Sequence, residues 1–299
     1  MLTAVAAFAP AKVNLYLHVV GRRADGLHLL DSLVAFADIG DCVRAAQSAV
    51  LSLAVSGPEA GPITGLGEDN LVLRAARLLA GHGAIAAGAA LQLDKQLPVA
   101  AGLGGGSSDA AAALRALASL WRVPIPEQEL LALAAGLGAD VPACLNAGPV
   151  WVGGIGERLV PAPALPPVGI VLANPRKPLP TAAVFGARRG PFSDTGRFEP
   201  MPREAAALAQ MLTRRRNDLT EPAMTLVPEI RTVLGRLAAL PGALLSRMSG
   251  SGASCFALFE DRAAAIRAWR LLAAAEPGWW CAAGTLGAAP QQFSRQFSG

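Results

Sequence analysis

The sequence predicts an α+β fold, and three observations carry that expectation. Strand-like runs joined by short links occupy the first 57 residues, helical periodicities crowd the middle, and a glycine-rich turn stands where one of those helices begins. At 299 residues the chain exceeds the usual domain size of about 100 to 150 residues, so two domains are expected. The proline-rich crossing at 161–167 divides them into 1–160 and 161–299.

Residues 13–20 read as a strand whose alternation places Lys12, Asn14, Tyr16 and His18 on one face. A lysine at a strand edge usually reaches for water. Here it is one of only three lysines in the chain and sits directly before a buried run, which singles it out. Asp25-Gly26 makes a hairpin-like corner, and His28 follows it; a lone histidine is more often structural than functional. Strands continue through 31–57, with 38–41 as a turn and 49–55 as an alternating run, and the short links favour antiparallel pairing. Asp69-Asn70 opens a helix over 71–79, with apolar positions 71, 72, 75, 78 and 79 on one stripe and 81–88 as its end. A short strand at 91–93 and a polar break at 94–96 lead to the glycine-rich turn.

That turn feeds a helix whose apolar residues recur from Asp109 to about Trp121, at Ala110, Ala113, Leu114, Leu117 and Leu120. Ser107, Ser108 and Asp109 supply capping residue types. Gly102, Gly104, Gly105 and Gly106 leave no side chain between main-chain N–H groups and a ligand, and a helix N-terminus favours negative charge. A merely flexible turn is the plain alternative. Four glycines in five positions followed by two hydroxyls point instead to phosphate. A P-loop would need lysine before its hydroxyl, and Gly106 stands there. A dinucleotide fingerprint would need a small residue at Ser107 and an acid about 20 positions on. Glu127 and Glu129 lie near that distance, but Pro124 and Pro126 interrupt the strand such a motif requires.

The two prolines stop the glycine-loop helix, and a second helix runs over 127–135. Beyond it, Asp140 stands before Val141-Pro142. Capping is the common role of such an aspartate, yet an acid among Ala139, Val141 and Ala143 is expensive to bury without a task. Residues 149–153 look like a strand. The second half opens with a strand at 168–173, followed by a polar, glycine- and proline-containing stretch at 186–203 that is expected to be mobile. Helices are expected at 204–212 and 224–240, then a small-residue loop at 249–254, a strand at 255–259 and a helix at 261–275. The last ten residues, 290–299, read as a frayed end.

Composition excludes several function classes. The net charge of +4 is spread without basic blocks, so nucleic acid is not an implied partner. Apolar runs are broken by proline and glycine, so no membrane span is expected, and the N-terminus lacks the basic start of a signal peptide, which favours a cytoplasmic protein. Cys42, Cys144, Cys255 and Cys281 stand singly, as expected of reduced thiols rather than a zinc site.

The loop Pro98, Val99, Ala100, Ala101, Gly102, Leu103, Gly104, Gly105, Gly106, Ser107 and Ser108 resembles the ATP loop of the galactokinase, homoserine kinase, mevalonate kinase and phosphomevalonate kinase superfamily. Ala9-Pro-Ala-Lys-Val-Asn-Leu15, Gly21-Arg-Arg-Ala-Asp-Gly-Leu-His28, Gly138-Ala-Asp-Val-Pro142, Asn217-Asp-Leu219 and Met248-Ser-Gly-Ser-Gly-Ala-Ser254 are similar, in order, to motifs of one branch. That branch phosphorylates the cytidyl diphosphate of methylerythritol, a step of the non-mevalonate isoprenoid pathway.

The resemblance implies a two-domain α+β small-molecule kinase with its active site in the inter-domain cleft. It also implies that Asp140 faces the alcohol, that Lys12 stands beside it and the transferring phosphoryl group, and that the eleven loop residues hold ATP. Asn14 and His28 would contact the cytidyl half, with Phe185 stacked on the cytosine and Thr181 close by. The family usually carries tyrosine where this chain has Leu27, so the base would meet an apolar side chain there instead of a second ring. Magnesium is expected to bridge the phosphates, with the hydroxyl of Ser107 or Ser108 as candidate ligand. Two rival readings are a sister kinase acting on another small alcohol and a non-catalytic or dinucleotide-binding protein. Neither the oligomeric state nor the adenine contacts are read from the sequence.

Overall fold

In the computed structural model, which describes residues 4–83, 85 and 88–287, the chain opens on two long antiparallel strands with continuous buried stretches, β1 (Ala4–Arg22) and β2 (His28–Ser48). The corner between them is the expected one: Gly26 takes φ +90°, and Asp25 Oδ1 accepts from Leu27 N at 3.2 Å. The turn expected at 38–41 is continuous strand instead. β1 accompanies β2 along its length, pairing Ala9 with Asp41 and Pro10 with Gly40, and a register shift between Pro10 and Lys12 bends the pair. A Cβ on Gly40 would lie 2.2 Å from the Ala9 carbonyl, so only glycine allows this approach.

β3 (Ser52–Ser56) lies parallel to β4 (Gly88–Asp94), as a crossover through α1 (Leu71–His82) permits; Asn70 caps that helix by accepting from Val72 N at 2.9 Å. The helices α2 (Gly105–Trp121), α3 (Glu127–Leu137) and α4 (Val141–Asn146) follow, then β5 (Val150–Gly154) and β6 (Arg158–Pro161). β2 pairs with β5 through one half and with β4 through the other, and its side chains, including Val43, form a core with Leu79, Leu93, Leu114 and Leu117.

The remainder contains β7 (Val168–Asn174), α5 (Thr181–Ala187), α6 (Ala205–Thr213), α7 (Thr220–Leu226) and α8 (Glu229–Ala238). β8 (Leu245–Met248), β9 (Cys255–Phe259), α9 (Arg262–Ala275) and β10 (Trp280–Leu286) complete it. The strands order as β10-β7-β9-β8, all antiparallel, and β10 meets β2 through the single pair Leu286–Ala37. Between the two sheets lies a shared core of Leu15, Tyr16, Leu33, Ile170, Phe256 and Leu258. Strands β6, β8 and β10 were not anticipated.

Two expectations in this half are corrected. The helix expected over 224–240 is broken into α7 and α8, because Val227 precedes Pro228 and takes an extended φ of −134°. The 186–203 stretch is fastened: Ser193 N donates to Val19 O at 2.9 Å, and buried Phe198 packs edge-on to Trp151 with ring centroids 5.3 Å apart. Residues 290–299 lie outside the described residues. Among the described residues no helix is long and apolar enough to cross a membrane.

Candidate active site

Helix α2 begins at Gly105, ahead of the expected Asp109, and no side chain caps it; Gly104 occupies the cap position at φ +63°. Ser107, Ser108 and Asp109 therefore lie inside the helix. The consequence is chemical: the first-turn N–H groups of Gly105, Gly106 and Ser107 have no intrahelical acceptor and face a cleft at the positive end of the helix. The loop ahead of them, residues 100–104, packs tightly against its neighbours. A Cβ on Gly102 would lie 2.5 Å from Ser249 O and 2.7 Å from Gly252 O, so only glycine lets the loop lie against the 249–254 backbone.

The same loop is sewn to β1. Lys12 N donates to Leu103 O at 2.9 Å, and the buried Ser108 hydroxyl donates to Pro10 O at 2.7 Å. Lys12 thereby stands beside Gly104, and its ammonium meets Asp140 Oδ1 at 2.6 Å. Asp140, at the start of α4, makes no side-chain capping bond. Contrary to the expectation of a buried acid, its side chain is 47% exposed, whereas that of Lys12 is only 10% exposed. A shielded cation beside an open carboxylate can act on a ligand arriving from the cleft.

Asn14 lies two residues farther along β1, buried, with its N–H on Ser249 Oγ at 3.2 Å and its Nδ2 donating to Ser32 Oγ at 2.9 Å. The face expected to continue through Tyr16 and His18 does not, because a register shift between Asn14 and Tyr16 resets the alternation. The Tyr16 hydroxyl donates to Asp31 at 3.0 Å, and burial raises its pKa; His18 Nδ1 donates to the Asp194 carbonyl at 2.8 Å.

At the far end of the cleft the His28 ring stacks on Phe185 with centroids 5.2 Å apart and planes 28° from parallel. Partial burial, then the neighbouring Arg22 and Arg188, lower the His28 pKa, keeping the imidazole neutral. Leu27 is 47% exposed on the rim, and Thr181 shares a 2.8 Å hydrogen bond with Ser251.

One cleft of about 840 Å³ brings together Lys12, Asn14, Leu27, His28, Ala100, Ala101, Gly102, Gly104, Gly105, Gly106, Ser107, Asp140, Thr181 and Phe185. Four of the expected loop residues do not line it. Leu103 and Ser108 turn inward, as their bonds to β1 require, while Pro98 and Val99 sit before the loop reaches the cleft. Of the two candidate metal-binding hydroxyls, only Ser107 faces the cleft. Among the described residues, Asp140 is the one carboxylate on its wall, and no three His, Cys, Asp or Glu cluster as a metal site. Cys144 and Cys255 are buried free thiols, with burial pushing Cys144 up to about 12.

Sequence reasoning gave no role to Ser249, whose hydroxyl donates to Gly102 O at 3.0 Å while accepting from Asn14 N. Its signal was the unbroken small-residue run. It also passed over Lys95, held beneath the glycine loop by Asp41 at 2.5 Å and Asp109 at 2.8 Å. The scarcity of lysine was the signal there.

Comparison with known proteins identifies relatives of the chain. Residues 70–148 match the GHMP kinases N terminal domain and residues 199–276 the GHMP kinases C terminal model. A 4-diphosphocytidyl-2-C-methyl-D-erythritol kinase of Paramagnetospirillum magneticum is 53% identical, the alignment covering 94% of this chain and 98% of that one. The Rhodospirillum rubrum enzyme of the same name is 51% identical over 93% and 91%. A crystal structure of 4-(cytidine 5'-diphospho)-2C-methyl-D-erythritol kinase matches with TM-score 0.78 and 39% identity, covering 95% of this chain and 99% of that one. Homoserine kinase from Cytophaga hutchinsonii shares the fold, with TM-score 0.72 at 19% identity over 96% of each chain.

Proposed function

Because the chain belongs to the GHMP kinases, and within them to the 4-diphosphocytidyl-2-C-methyl-D-erythritol kinase family, we propose that it transfers the γ-phosphoryl group of ATP to the 2-hydroxyl of 4-diphosphocytidyl-2-C-methyl-D-erythritol. The observation that carries this reading is the Lys12–Asp140 pair, set between an uncapped helix N-terminus and a stacked His–Phe pair within one cleft. The N-terminal domain, 1–160, then holds ATP, and the C-terminal domain supplies Thr181 and Phe185 to the acceptor.

The amides of Gly105, Gly106 and Ser107 bind phosphate oxygens without first breaking bonds of their own. The acceptor oxygen attacks the γ-phosphorus in line as the bond to the β,γ-bridging oxygen breaks, and ADP leaves with that electron pair. Asp140 takes the hydroxyl proton. A carboxylate suffices as base because a loose transition state lets the proton leave late. The Lys12 ammonium meets charge on the transferring group, and its shielding from water strengthens that effect. Asn14, already committed through its amide hydrogen to Ser32, offers its carbonyl oxygen to the acceptor. His28 and Phe185 receive the cytosine, with Leu27 as apolar cover.

Magnesium fits the wall: Ser107 and Asp140 supply oxygen donors of the kind it shares with phosphates, and the ion would neutralise phosphate charge. ATP and the free thiols agree with a cytoplasmic enzyme. ADP release, coupled to a reporter and measured with the cytidyl alcohol against homoserine and mevalonate, tests the assignment. Turnover confined to the cytidyl alcohol supports it; turnover only with another alcohol makes this a sister kinase.

A further inference from the structure

The cleft wall carries more positive charge than the transfer step uses. Lys12, Arg22, Arg188 and Arg189 line it, and among the described lining residues Asp140, already paired with Lys12, is the one acid. Two of these arginines are tied to the stacked ring pair by the fold itself. Arg22 is the cross-strand partner of His28 at the end of the β1–β2 ladder. Arg188 follows Phe185 by one helical turn and caps α5, its N–H donating to Phe185 O at 3.3 Å. Both arginines therefore line the cleft beside the ring pair and lie close enough to His28 to lower its pKa, Arg22 from the first half of the chain and Arg188 from the second.

Among the described residues, neither has a carboxylate within ion-pair distance. Arg22 Nε donates to Gly26 O at 3.0 Å, and Arg188 donates to Gly190 O at 3.3 Å and Pro191 O at 2.5 Å. Arg23, beside Arg22, is neutralised by Asp25 at 2.8 Å. The Arg188 Nε is fully buried and has no hydrogen-bond partner at all. A buried, unpaired donor on a cationic group is costly to maintain unless a ligand satisfies it. Backbone carbonyls hold the two side chains in place, and the Arg188 guanidinium also lies over the Phe192 ring at 5.0 Å, but no anion neutralises either charge among the described residues.

We propose that Arg22 and Arg188 form an anion-binding pair that engages the diphosphate of the acceptor. The proposal rests on the function assigned above and adds to it the residues that read the acceptor's charge. The glycine loop serves the phosphates of ATP at the opposite end of the cleft. Arginine suits this task because its planar fork matches phosphate oxygens two at a time. It also explains how the acceptor is held where Leu27 gives no second ring: charge replaces stacking.

Calorimetric titration of CDP and of cytidine into the wild-type protein and into Arg22→Ala, Arg188→Ala and the double variant tests this directly. Wild type should prefer CDP over cytidine by roughly tenfold or more, the preference narrowing as ionic strength rises. The double variant should bring the preference down to about threefold or less while cytidine affinity moves by less than about twofold. Arg188→Lys should recover part of the preference, since it keeps the charge and loses the fork. A double variant that keeps the wild-type preference, or one that weakens both ligands equally, overturns the proposal. Turnover of the cytidyl alcohol by wild type is a separate readout. An arginine-dependent preference for CDP without turnover would sink the substrate assignment alone, and turnover with an unchanged preference would sink the arginine pair alone.

Discussion

Two lysines lie on opposite sides of the same glycine loop and have been given opposite surroundings. Gly104 faces Lys12 and Gly105 faces Lys95, each so closely that a Cβ would fall 3.0 Å from lysine atoms. Lys12 has one carboxylate, Asp140, which opens to the cleft. Lys95 has two, Asp41 and Asp109, and all three side chains are sealed from water. Asp41 Oδ1 also accepts from Gln96 N at 2.6 Å and Leu97 N at 2.8 Å, so the sealed cluster fixes the start of the loop while the open pair addresses the ligand. The difference teaches that lysine and aspartate at hydrogen-bond distance do not by themselves announce catalysis. Access decides it: a carboxylate that receives a proton must be reachable, and one that anchors a loop must not be.

The largest effect should come from the open pair. Asp140→Asn removes the proton acceptor and should lower kcat by about 10² to 10⁴. Lys12→Ala should cost a similar factor by leaving transition-state charge unmet, about 10² to 10³. Steady-state kinetics on both variants and a thermal melt of Asp140→Asn check this: activity collapses in both, while the Tm of Asp140→Asn stays near wild type because Asp140 is half in water. Substantial kcat in either variant would remove it from the mechanism.

The sealed cluster should respond in the other direction. Lys95→Met leaves two buried carboxylates facing each other, and breaking such an arrangement costs about 3–5 kcal/mol of stability. Denaturant unfolding should show that loss, and adding Asp109→Leu should restore part of it by removing one of the two orphaned buried carboxyl groups. If Lys95→Met is as stable as wild type, the cluster is not the anchor described here.

How far the sequence disclosed this contrast depends on distance along the chain. The glycine loop was legible because its chemistry is local: glycines, hydroxyls and a helical period lie within some 20 residues. Lys12 and Asp140 were reached through motif resemblance, since nothing local says that they touch. The Lys95 cluster joins residues 41, 95 and 109, and 41 fell in what read as a turn. A strand that bends through a register shift, as β2 does opposite Pro10, exposes no pattern that distinguishes it from a corner. Strand β8 was missed for a related reason: Leu245–Met248 is short and takes its identity from pairing with β9.

A smaller effect separates the two sites by pH. Burial pushes Asp109 up to about 8, Lys95 opposing and Asp41 reinforcing the shift, and its Oδ1 is buried without a partner. An acid whose folded pKa lies above its unfolded value holds more protons in the folded state than in the unfolded state between the two. Its contribution to stability is therefore full below the unfolded carboxylate range and declines as pH rises towards about 8. Unfolding midpoints from pH 5 to 8 should fall in wild type relative to Asp109→Asn, in which this term is absent. Parallel profiles would show that Asp109 stays ionised throughout.

The smallest effect probes the open site where it departs from its family. Leu27 lies at the rim, exposed, directly after the Asp25-Gly26 corner, and no other side chain needs its shape. Leu27→Tyr should therefore leave Tm unchanged, in contrast to any change at Lys95. An added aromatic pair contributes about 0.5–1.5 kcal/mol, so KM for the cytidyl acceptor should fall by about two- to tenfold while KM for ATP holds. An unchanged acceptor KM would mean that the His28–Phe185 stack and the neighbouring arginines already hold the base and diphosphate without help from position 27. The open site would then owe its affinity to charge on both the ATP side and the acceptor side.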